Sequence, residues 1–306
     1  MSVLSRPEFH NEEAAYAYVE ARIWADGRVC PHCGVVGKSS KMGGKSTRVG
    51  AYKCYACRKP FTVKIGTIFE ASHVAMNLWL QAIYLMCASK KGISSNQLHR
   101  TLGVTLKNAW FMSHRNREAM RDDGSVDFGA GGGVVEVDET FIGREPGKEV
   151  KRGVGHKMKV LTLVDRANGR AKSVVVDDLK IKTLLPILQA NIAKEAIVYT
   201  DEAMQYDNLG KHFAKHDSVN HGAEEYVRGD VTTNTVEGYF SIFKRGMKGV
   251  YQHCGKKHLH RYAAEFAFRY SNRVALGVND SLRADIALQS IAGKRLTYRG
   301  TNASTN

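Results

Sequence analysis

The chain has 306 residues, which is enough for two or three domains with a substantial core. Its apolar content of 43% and charged content of 25% are those of an ordinary globular protein rather than a disordered one. Lysine and arginine outnumber aspartate and glutamate by 45 to 30, so the net charge is +15. This excess favours a polyanionic partner, either nucleic acid or an anionic membrane surface.

The sequence predicts neither a membrane span nor a secretory signal. The most apolar helical run, residues 74–88, is 15 residues long and contains Asn77 and Gln81, whereas a span needs about 20. The N-terminus lacks the charged and then apolar order of a signal peptide. We therefore expect a cytoplasmic protein with no membrane partner.

After a helical lead-in in residues 1–27, four of the six cysteines form two matched pairs. In a reducing compartment, such spacing indicates a metal site rather than disulfides. Two knuckles of this kind place four thiolates tetrahedrally around one structural Zn²⁺, and the flanking segments resemble strands. Residues 28–66 are therefore predicted to be a zinc ribbon, although a redox-active pair is the alternative. The predicted zinc ligands are Cys30, Cys33, Cys54 and Cys57.

Residues 72–121 carry the pattern of three helices around a small apolar core. Ser94 or Ser95 would cap the second helix, and Gly103 would form the turn to the third. This is the pattern of a helix-turn-helix, whose last helix enters the major groove of DNA. An ordinary three-helix module is the alternative, but the net charge and the zinc knuckles favour DNA binding. The residues predicted to face DNA are Lys107, Asn108, Arg115 and Arg117.

Glycine is concentrated in residues 122–133, which we interpret as a linker between domains. Beyond it, the pattern predicts three strands, a helix, a strand, a helix, a strand and a helix. Three strands spaced for hairpins and followed by alternation indicate an α/β domain with a mixed five-stranded sheet and helices on its faces. The first strand would be central, with the fourth beside it.

Two of these predicted strands carry aspartates. Asp138 lies within the apolar run 132–142, and Asp201 lies near the end of the run 196–202. A carboxylate at such a position is costly unless something pairs with it. Because the two strands are predicted neighbours, Asp138 and Asp201 can lie side by side.

A third acidic residue belongs to the predicted helix in residues 232–246. Glu237 and Lys244 are two helical turns apart and point the same way, although this spacing can also arise by chance on a solvated helix. Three converging carboxylates repel one another and persist most readily when a divalent cation neutralises them. The predicted apolar stripe of this helix is Val236, Phe240, Phe243 and Met247, and its polar stripe is Asn234, Glu237, Ser241 and Lys244.

Together these features resemble bacterial insertion-sequence transposases of the DDE superfamily, in the group that joins a zinc ribbon to an RNase H-like core. With the cysteine pairs, the resemblance spans roughly residues 28–272. The matching segments are Val135-Glu-Val-Asp-Glu-Thr140, Tyr199-Thr-Asp-Glu202, Thr233-Asn-Thr-Val-Glu-Gly238 with Lys244, and Lys257-His-Leu-His-Arg-Tyr262. We therefore predict that the chain is divided into 1–27 (lead-in), 28–66 (zinc ribbon), 72–121 (helix-turn-helix), 122–133 (linker), 134–250 (RNase H-like catalytic domain), 251–293 (C-terminal helices) and 294–306 (disordered tail).

The resemblance implies magnesium-dependent phosphoryl transfer on double-stranded DNA, at the transposon ends and then at the target. Asp138 would bridge two Mg²⁺ ions, while Asp201 and Glu237 would each complete one site. Lys244 would contact a phosphate near the scissile bond or orient Glu237. By analogy with the family, the protein would act as a homo-oligomer on DNA and be associated with the nucleoid when bound.

Two positions in the resemblance have alternatives. Some relatives carry asparagine at the third acidic position, so Asn234 competes with Glu237, which we prefer because it offers a full charge. In the family a histidine precedes the final helix, and either His221 or His253 can correspond to it.

Other functions also fit the sequence. A structure-selective nuclease on the same fold would cut DNA without joining it. A domesticated transposase would bind DNA without cleaving it, although the intact acidic set argues against this. A zinc-ribbon protein associated with RNA or the ribosome is a third alternative. The long region that resembles a catalytic domain argues against it, because such a module does not need one.

Overall fold

The computed structural model describes residues 2–122, 124 and 127–296, and these form two compact units. The first unit contains residues 2–89, 93–120 and 279–296, and the second contains residues 90–92 and most of 121–278. Every helix among these residues is too short or too polar to serve as a membrane-spanning segment. The predicted tail lies outside the described residues from position 297 onward.

The helices and strands follow the predicted order with one exception: the short helix predicted between the fourth and fifth strands of the α/β domain is instead two 3-10 turns, Met204–Tyr206 and Leu209–Lys211. The helices are α1 (Glu12–Ile23), α2 (Met76–Ala88), α3 (Ser95–Leu102), α4 (Leu106–Ala119), α5 (Ile181–Gln189), α6 (Asn234–Gly246), α7 (Lys256–Ser271) and α8 (Asp280–Gln289). The strands are β1 (Ser39–Lys41), β2 (Tyr52–Cys54), β3 (Pro60–Phe61), β4 (Val134–Ile142), β5 (Met158–Asp165), β6 (Ala171–Val176), β7 (Ile197–Asp201) and β8 (Lys215–Val219).

In the first unit, β1, β2 and β3 form a small antiparallel sheet that carries the cysteine knuckles. Its core is aromatic: Trp24 packs edge to face on Tyr52 and Phe61, with ring centroids 5.6 and 6.0 Å away. This sheet confirms the predicted zinc ribbon and adds β1, a short polar strand without an alternating pattern.

The three helices predicted for residues 72–121 are α2, α3 and α4. Ser94 Oγ accepts from Gln97 N–H (3.1 Å), and Gly103 adopts the left-handed conformation at φ 66°, as the sequence predicts. The last helix, α8, packs against α1 and α2, where Arg22 contacts Asp285 at 2.7 Å. Helix α8 therefore belongs to the first unit, whereas its position in the sequence grouped it with α7.

The second unit confirms the predicted mixed sheet, with strand order β6-β5-β4-β7-β8. Strands β6, β5 and β4 are antiparallel neighbours, while β4, β7 and β8 run parallel. Strand β4 is central and β7 lies beside it, which is the RNase H-like arrangement. Phe128, within the predicted linker, is buried, and its N–H donates to Asn191 O at 2.9 Å, so this part of the linker packs on the domain.

Each face of the sheet is covered by helices, and side-chain alternation along β4 sorts its residues between the faces. Val135 and Val137 belong to the core beneath α5, together with Leu184 and Leu188. The other core contains apolar residues of β5, α6 and α7. Because Val135 and Val137 face α5, the intervening Glu136 and the following Asp138 face α6.

Candidate active site and metal centre

The four knuckle cysteines converge on one point. Their sulfur atoms all lie within 4.8 Å of one another, and the pairs Cys30–Cys57 and Cys33–Cys54 are each 3.7 Å apart. A tetrahedral Zn²⁺ with Zn–S bonds of about 2.3 Å would separate its sulfur ligands by roughly 3.8 Å. The donor set and its spacing therefore fit a structural zinc ion. Among the described residues, these cysteines are the one group of three or more His, Cys, Asp or Glu side chains gathered so closely.

Asp138 and Asp201 lie at the same level on neighbouring parallel strands. The ladder between β4 and β7 aligns Val134 with Ile197 and Glu136 with Tyr199. The last pair of this ladder is Glu136 and Tyr199, and each aspartate lies two positions beyond the member of that pair on its own strand, at the end of β7. The predicted adjacency of the strands is thus observed, and it brings both side chains to one edge of the β4–β7 ladder.

The electrostatic environment of Asp138 links it to the other predicted acidic residues. Burial, which is the largest cause, and the negative charges of Asp201, Glu139 and Glu237 together raise the pKa of Asp138 to about 8. The Glu139 N–H donates to Asp138 Oδ1 at 2.6 Å and acts in the opposite direction. Asp138 is thus a half-buried carboxyl group with three negative charges near it, which is an environment that a divalent cation would relieve.

The three predicted magnesium ligands are less closely grouped than the four cysteines. The carboxylates of Asp138, Asp201 and Glu237 do not all lie within 4.8 Å of one another. A two-ion site does not require this, because its metals are about 3.5–4 Å apart and its outer ligands bind different ions. The donor set of three carboxylates suits Mg²⁺, which takes hard oxygen ligands and retains several waters.

Helix α6 has the two stripes that its sequence predicts. Val236, Phe240, Phe243 and Met247 are buried, whereas Glu237 and Lys244 are exposed on the polar side. Thr233 Oγ1 donates to Glu237 Oε1 at 3.0 Å, and the Lys244 ammonium lies 5.7 Å from the centre of the Phe240 ring. The α-helix ends at Gly246, as predicted, and a π-helical turn follows it over Met247–Tyr251.

The alternative residues lie in three different places in the second unit. Asn234 is the first residue of α6, is exposed, and donates its N–H to Thr232 Oγ1 at 3.1 Å. His253 lies in the turn after the π-helical segment and is exposed. His221 begins a short 3-10 turn, and its side chain lies outside what the structure describes.

Two further carboxylates near Asp138 were not singled out from the sequence. Glu139 accepts hydrogen bonds from the Tyr206 hydroxyl and from Gln205 Nε2 (3.5 Å), and burial raises its pKa. Glu136 is fully buried and accepts hydrogen bonds from the first turn of α6. The period of two along β4 would have paired Glu136 with Asp138 on one face, but it could not indicate what Glu136 contacts.

The helix-turn-helix surface requires a correction. Lys107 and Asn108 are exposed on the first turn of α4, as predicted. Arg115 and Arg117 are not: they are 3% and 1% exposed. Arg115 donates to the carbonyl oxygens of residues 68 and 70, and Arg117 contacts Ser113 Oγ at 3.3 Å. The prediction was wrong for both arginines because the second half of α4 is buried, so its polar side chains bond to protein rather than to a ligand.

Comparison with known proteins adds family evidence to this geometry. Residues 131–271 match the model of the ISXO2-like transposase domain, and residues 10–60 match that of the transposase zinc-ribbon domain. An uncharacterized protein in transposable element ISH50 of Halobacterium salinarum is 30% identical over 254 residues, covering 78% of this chain and 83% of the relative. An uncharacterized transposase-like protein of Haemophilus influenzae is 28% identical over 100 residues, covering 33% of this chain and 80% of that protein.

Among solved structures, the similarities are distant. A chain of the simian T-cell lymphotropic virus intasome in complex with a PP2A regulatory subunit matches with a TM-score of 0.29 and 11% identity, over 56% of this chain and 63% of that one. A chain of the Mos1 strand transfer complex matches with a TM-score of 0.18 and 12% identity, over 64% of this chain and 76% of that one. On the two domain matches and the ISH50 relative, this chain belongs to the family of ISXO2-like transposases with an N-terminal zinc ribbon.

Proposed function

We propose that this protein is a DDE-type DNA transposase that binds the terminal inverted repeats of its element and catalyses magnesium-dependent strand cleavage and strand transfer. The observation that carries the proposal is the electrostatic coupling of Asp138 to both Asp201 and Glu237, inside a transposase domain. Two of these residues lie level on adjacent strands, and the third lies on α6, which packs on β4. A cluster of negative charges of this kind suits a site for divalent cations.

In the proposed mechanism, Asp138, Asp201 and Glu237 would hold the divalent cations, with Asp138 as the ligand common to both. Bound Mg²⁺ would activate the attacking hydroxyl group and stabilise the leaving oxygen of the scissile phosphodiester. Glu237 is oriented by the Thr233 hydroxyl and by the rigid helix that bears it. Lys244, two turns along the same exposed face, neutralises a phosphate beside the scissile bond. The protein forms no covalent bond to DNA.

The zinc ribbon and the first turn of α4 supply DNA recognition in this proposal. Lys107 and Asn108 occupy the N-terminal part of the recognition helix, which contacts base edges in helix-turn-helix proteins. The four cysteines would hold one Zn²⁺, which would stabilise the ribbon. We also propose that the protein works as a homo-oligomer, because cleavage and joining of two ends require two sites.

Strand cleavage by full-length protein tests the proposal, with a DNA fragment that carries the sequences flanking its gene. Asp138→Asn and Asp201→Asn each remove a charge without changing shape. We expect each to reduce Mg²⁺-dependent cleavage at least about a hundredfold, since even residues behind the metal ligands cost 10–100-fold, and to leave DNA binding intact. Asp207→Asn, at an exposed position of the same unit, is the matched control and should cleave normally. Cleavage at the wild-type rate by either variant would remove that residue from the site.

A structure-selective nuclease is the alternative, because it would use the same carboxylates. The product distinguishes the two functions. With paired ends, a target plasmid and Mg²⁺, a transposase yields ends joined to the target, whereas a nuclease yields cut DNA alone. Failure to form joined product under conditions that support cleavage would favour the nuclease.

A further inference from the structure

Glu136 is a buried carboxylate that joins the central strand to the helix bearing Glu237. It lies on β4 two residues before Asp138, on the same face of the sheet, and its side chain is fully buried. Its Oε2 atom accepts from the N–H groups of Thr235 (2.8 Å) and Val236 (2.9 Å). Its Oε1 atom accepts from Thr235 Oγ1 (2.7 Å) and Arg166 Nε (2.5 Å). The first turn of α6 is therefore bound directly to the strand of Asp138.

Arg166 extends this connection to the loop that precedes α6. Its guanidinium donates to Asp230 O at 2.8 Å and to Thr232 O at 2.9 Å, in addition to Glu136. The same group lies over the ring of Tyr199, 5.0 Å from its centre, on the strand that ends at Asp201. One side chain thus contacts β4, β7 and the approach to α6, the three elements that carry Asp138, Asp201 and Glu237.

Capping alone does not require this arrangement. A local serine, threonine or aspartate can cap a helix, and Asn234 N–H already bonds to Thr232 Oγ1. A local cap stabilises a helix wherever it lies, whereas a carboxylate from a neighbouring strand also determines the helix's position. A buried carboxylate is costly unless it is fully hydrogen-bonded, so the first turn of α6 is held where Glu136 is satisfied.

We propose that Glu136, with Arg166, is a positioning residue that holds Glu237 opposite Asp138 at the distance that two cations require. The inference rests on the proposed function of the same site. Glu237 N–H makes the first bond within the helix, to Thr233 O at 3.0 Å, so its backbone follows directly on the turn that Glu136 holds. Glu136 itself faces the helix and does not coordinate the cations.

The variant Glu136→Gln tests this role in the full-length protein. An amide keeps the shape, but it loses the charge and cannot accept from all four donors. We expect the Mg²⁺ concentration for half-maximal strand cleavage to rise about 10- to 100-fold, with cleavage largely recovered at saturating Mg²⁺ and DNA binding unchanged. The affinity for Mn²⁺ without DNA, measured by electron paramagnetic resonance, should fall by a similar factor.

Glu265→Gln is a matched control in the same unit. Glu265 is a fully buried carboxylate paired with the buried Arg269, and it accepts from the Tyr251 hydroxyl at 2.5 Å. Its substitution also removes a buried charge, so it should lower the melting temperature without changing the dependence on Mg²⁺. Comparison of the two variants therefore separates a general loss of stability from a displacement of Glu237.

Thr235→Val is the milder variant, in case Glu136→Gln does not fold. It removes one hydrogen bond to Glu136 and should shift the Mg²⁺ dependence in the same direction by a smaller factor. Wild-type Mg²⁺ dependence and Mn²⁺ affinity in the folded variants would overturn the positioning role and leave the proposed function intact. If the wild-type protein binds Mn²⁺ but does not cleave DNA, the proposed function fails, and the Mn²⁺ affinity of Glu136→Gln still decides the positioning role.

Discussion

Strand β4 carries three carboxylates within four residues, and the protein accommodates each in a different way. Glu136 is satisfied by four hydrogen-bond donors, and Glu139 accepts from Tyr206 and Gln205. Asp138 has one backbone donor and a surrounding set of negative charges. A carboxylate in that position is the one whose ionised form gains most from a divalent cation, which is why we assign Asp138 the central role.

The third ligand can be identified by comparing Glu237 with Asn234, one turn before it on the same helix. We expect Glu237→Gln to reduce Mg²⁺-dependent cleavage at least about a hundredfold, because it removes the charge that acts on Asp138. Asn234→Ala should retain cleavage within a few-fold of wild type, as measured in the same assay. The opposite pattern would transfer the role of third ligand to Asn234.

At the scale of elements, α2 and α6 begin in a similar way, because in neither helix does the side chain of the N-cap residue make a capping hydrogen bond. Glu12 on α1 accepts from Met76 N–H (2.7 Å) at the start of α2, and Glu136 on β4 does the same for α6. In both, a carboxylate distant in sequence meets the positive end of a helix. The consequence is that each helix is held in place by its neighbour as well as by its apolar face.

The zinc ribbon should lose its metal when one ligand is changed. We expect Cys33→Ser to reduce the zinc content from one ion per chain towards zero and to lower the melting temperature, because the small sheet has little core without the metal. Zinc measured by atomic absorption tests this. Cys254→Ser, a cysteine outside the cluster, should keep its zinc. A stable ribbon in zinc-free protein would contradict the structural role.

The two halves of α4 should respond differently to substitution. Lys107→Ala and Asn108→Ala are expected to weaken DNA binding by about 1–3 kcal/mol without lowering the melting temperature, because both residues are exposed. Arg115→Ala should instead destabilise the fold by at least about 1–3 kcal/mol, since it leaves buried carbonyl oxygens unpaired. Band-shift titrations and thermal melts distinguish the two outcomes. Normal binding by both exposed-residue variants would place recognition elsewhere.

At the scale of the whole molecule, the net charge of +15 predicts how DNA binding depends on salt. If about six phosphates are neutralised on binding, affinity should fall by roughly a thousandfold between 50 and 200 mM salt. Fluorescence anisotropy with a labelled end fragment measures this slope. Unrelated DNA should show a similar slope at lower affinity, and binding that is independent of salt would argue against a phosphate-dominated interface.

The amino-acid sequence determined the features that depend on local spacing. The cysteine pairs identify the zinc ribbon, the capping residues around Gly103 mark α3 and α4, and the order of strands and helices indicates the mixed sheet. The apolar stripe of α6 could likewise be predicted from the spacing of its apolar residues. These features depend on residues close together in the chain, where backbone geometry and periodicity are sufficient.

Only the tertiary structure decided which polar residues are buried and what they contact. Arg115 and Arg117 are residue types typical of a DNA-binding surface. In the structure, however, both side chains are buried because other segments pack around the second half of α4. Glu136 looks like one acidic residue among several, yet its contacts lie about a hundred residues away. Burial and long-range hydrogen bonding arise from packing between distant segments, and the same side chain can be solvated or enclosed according to what packs against it.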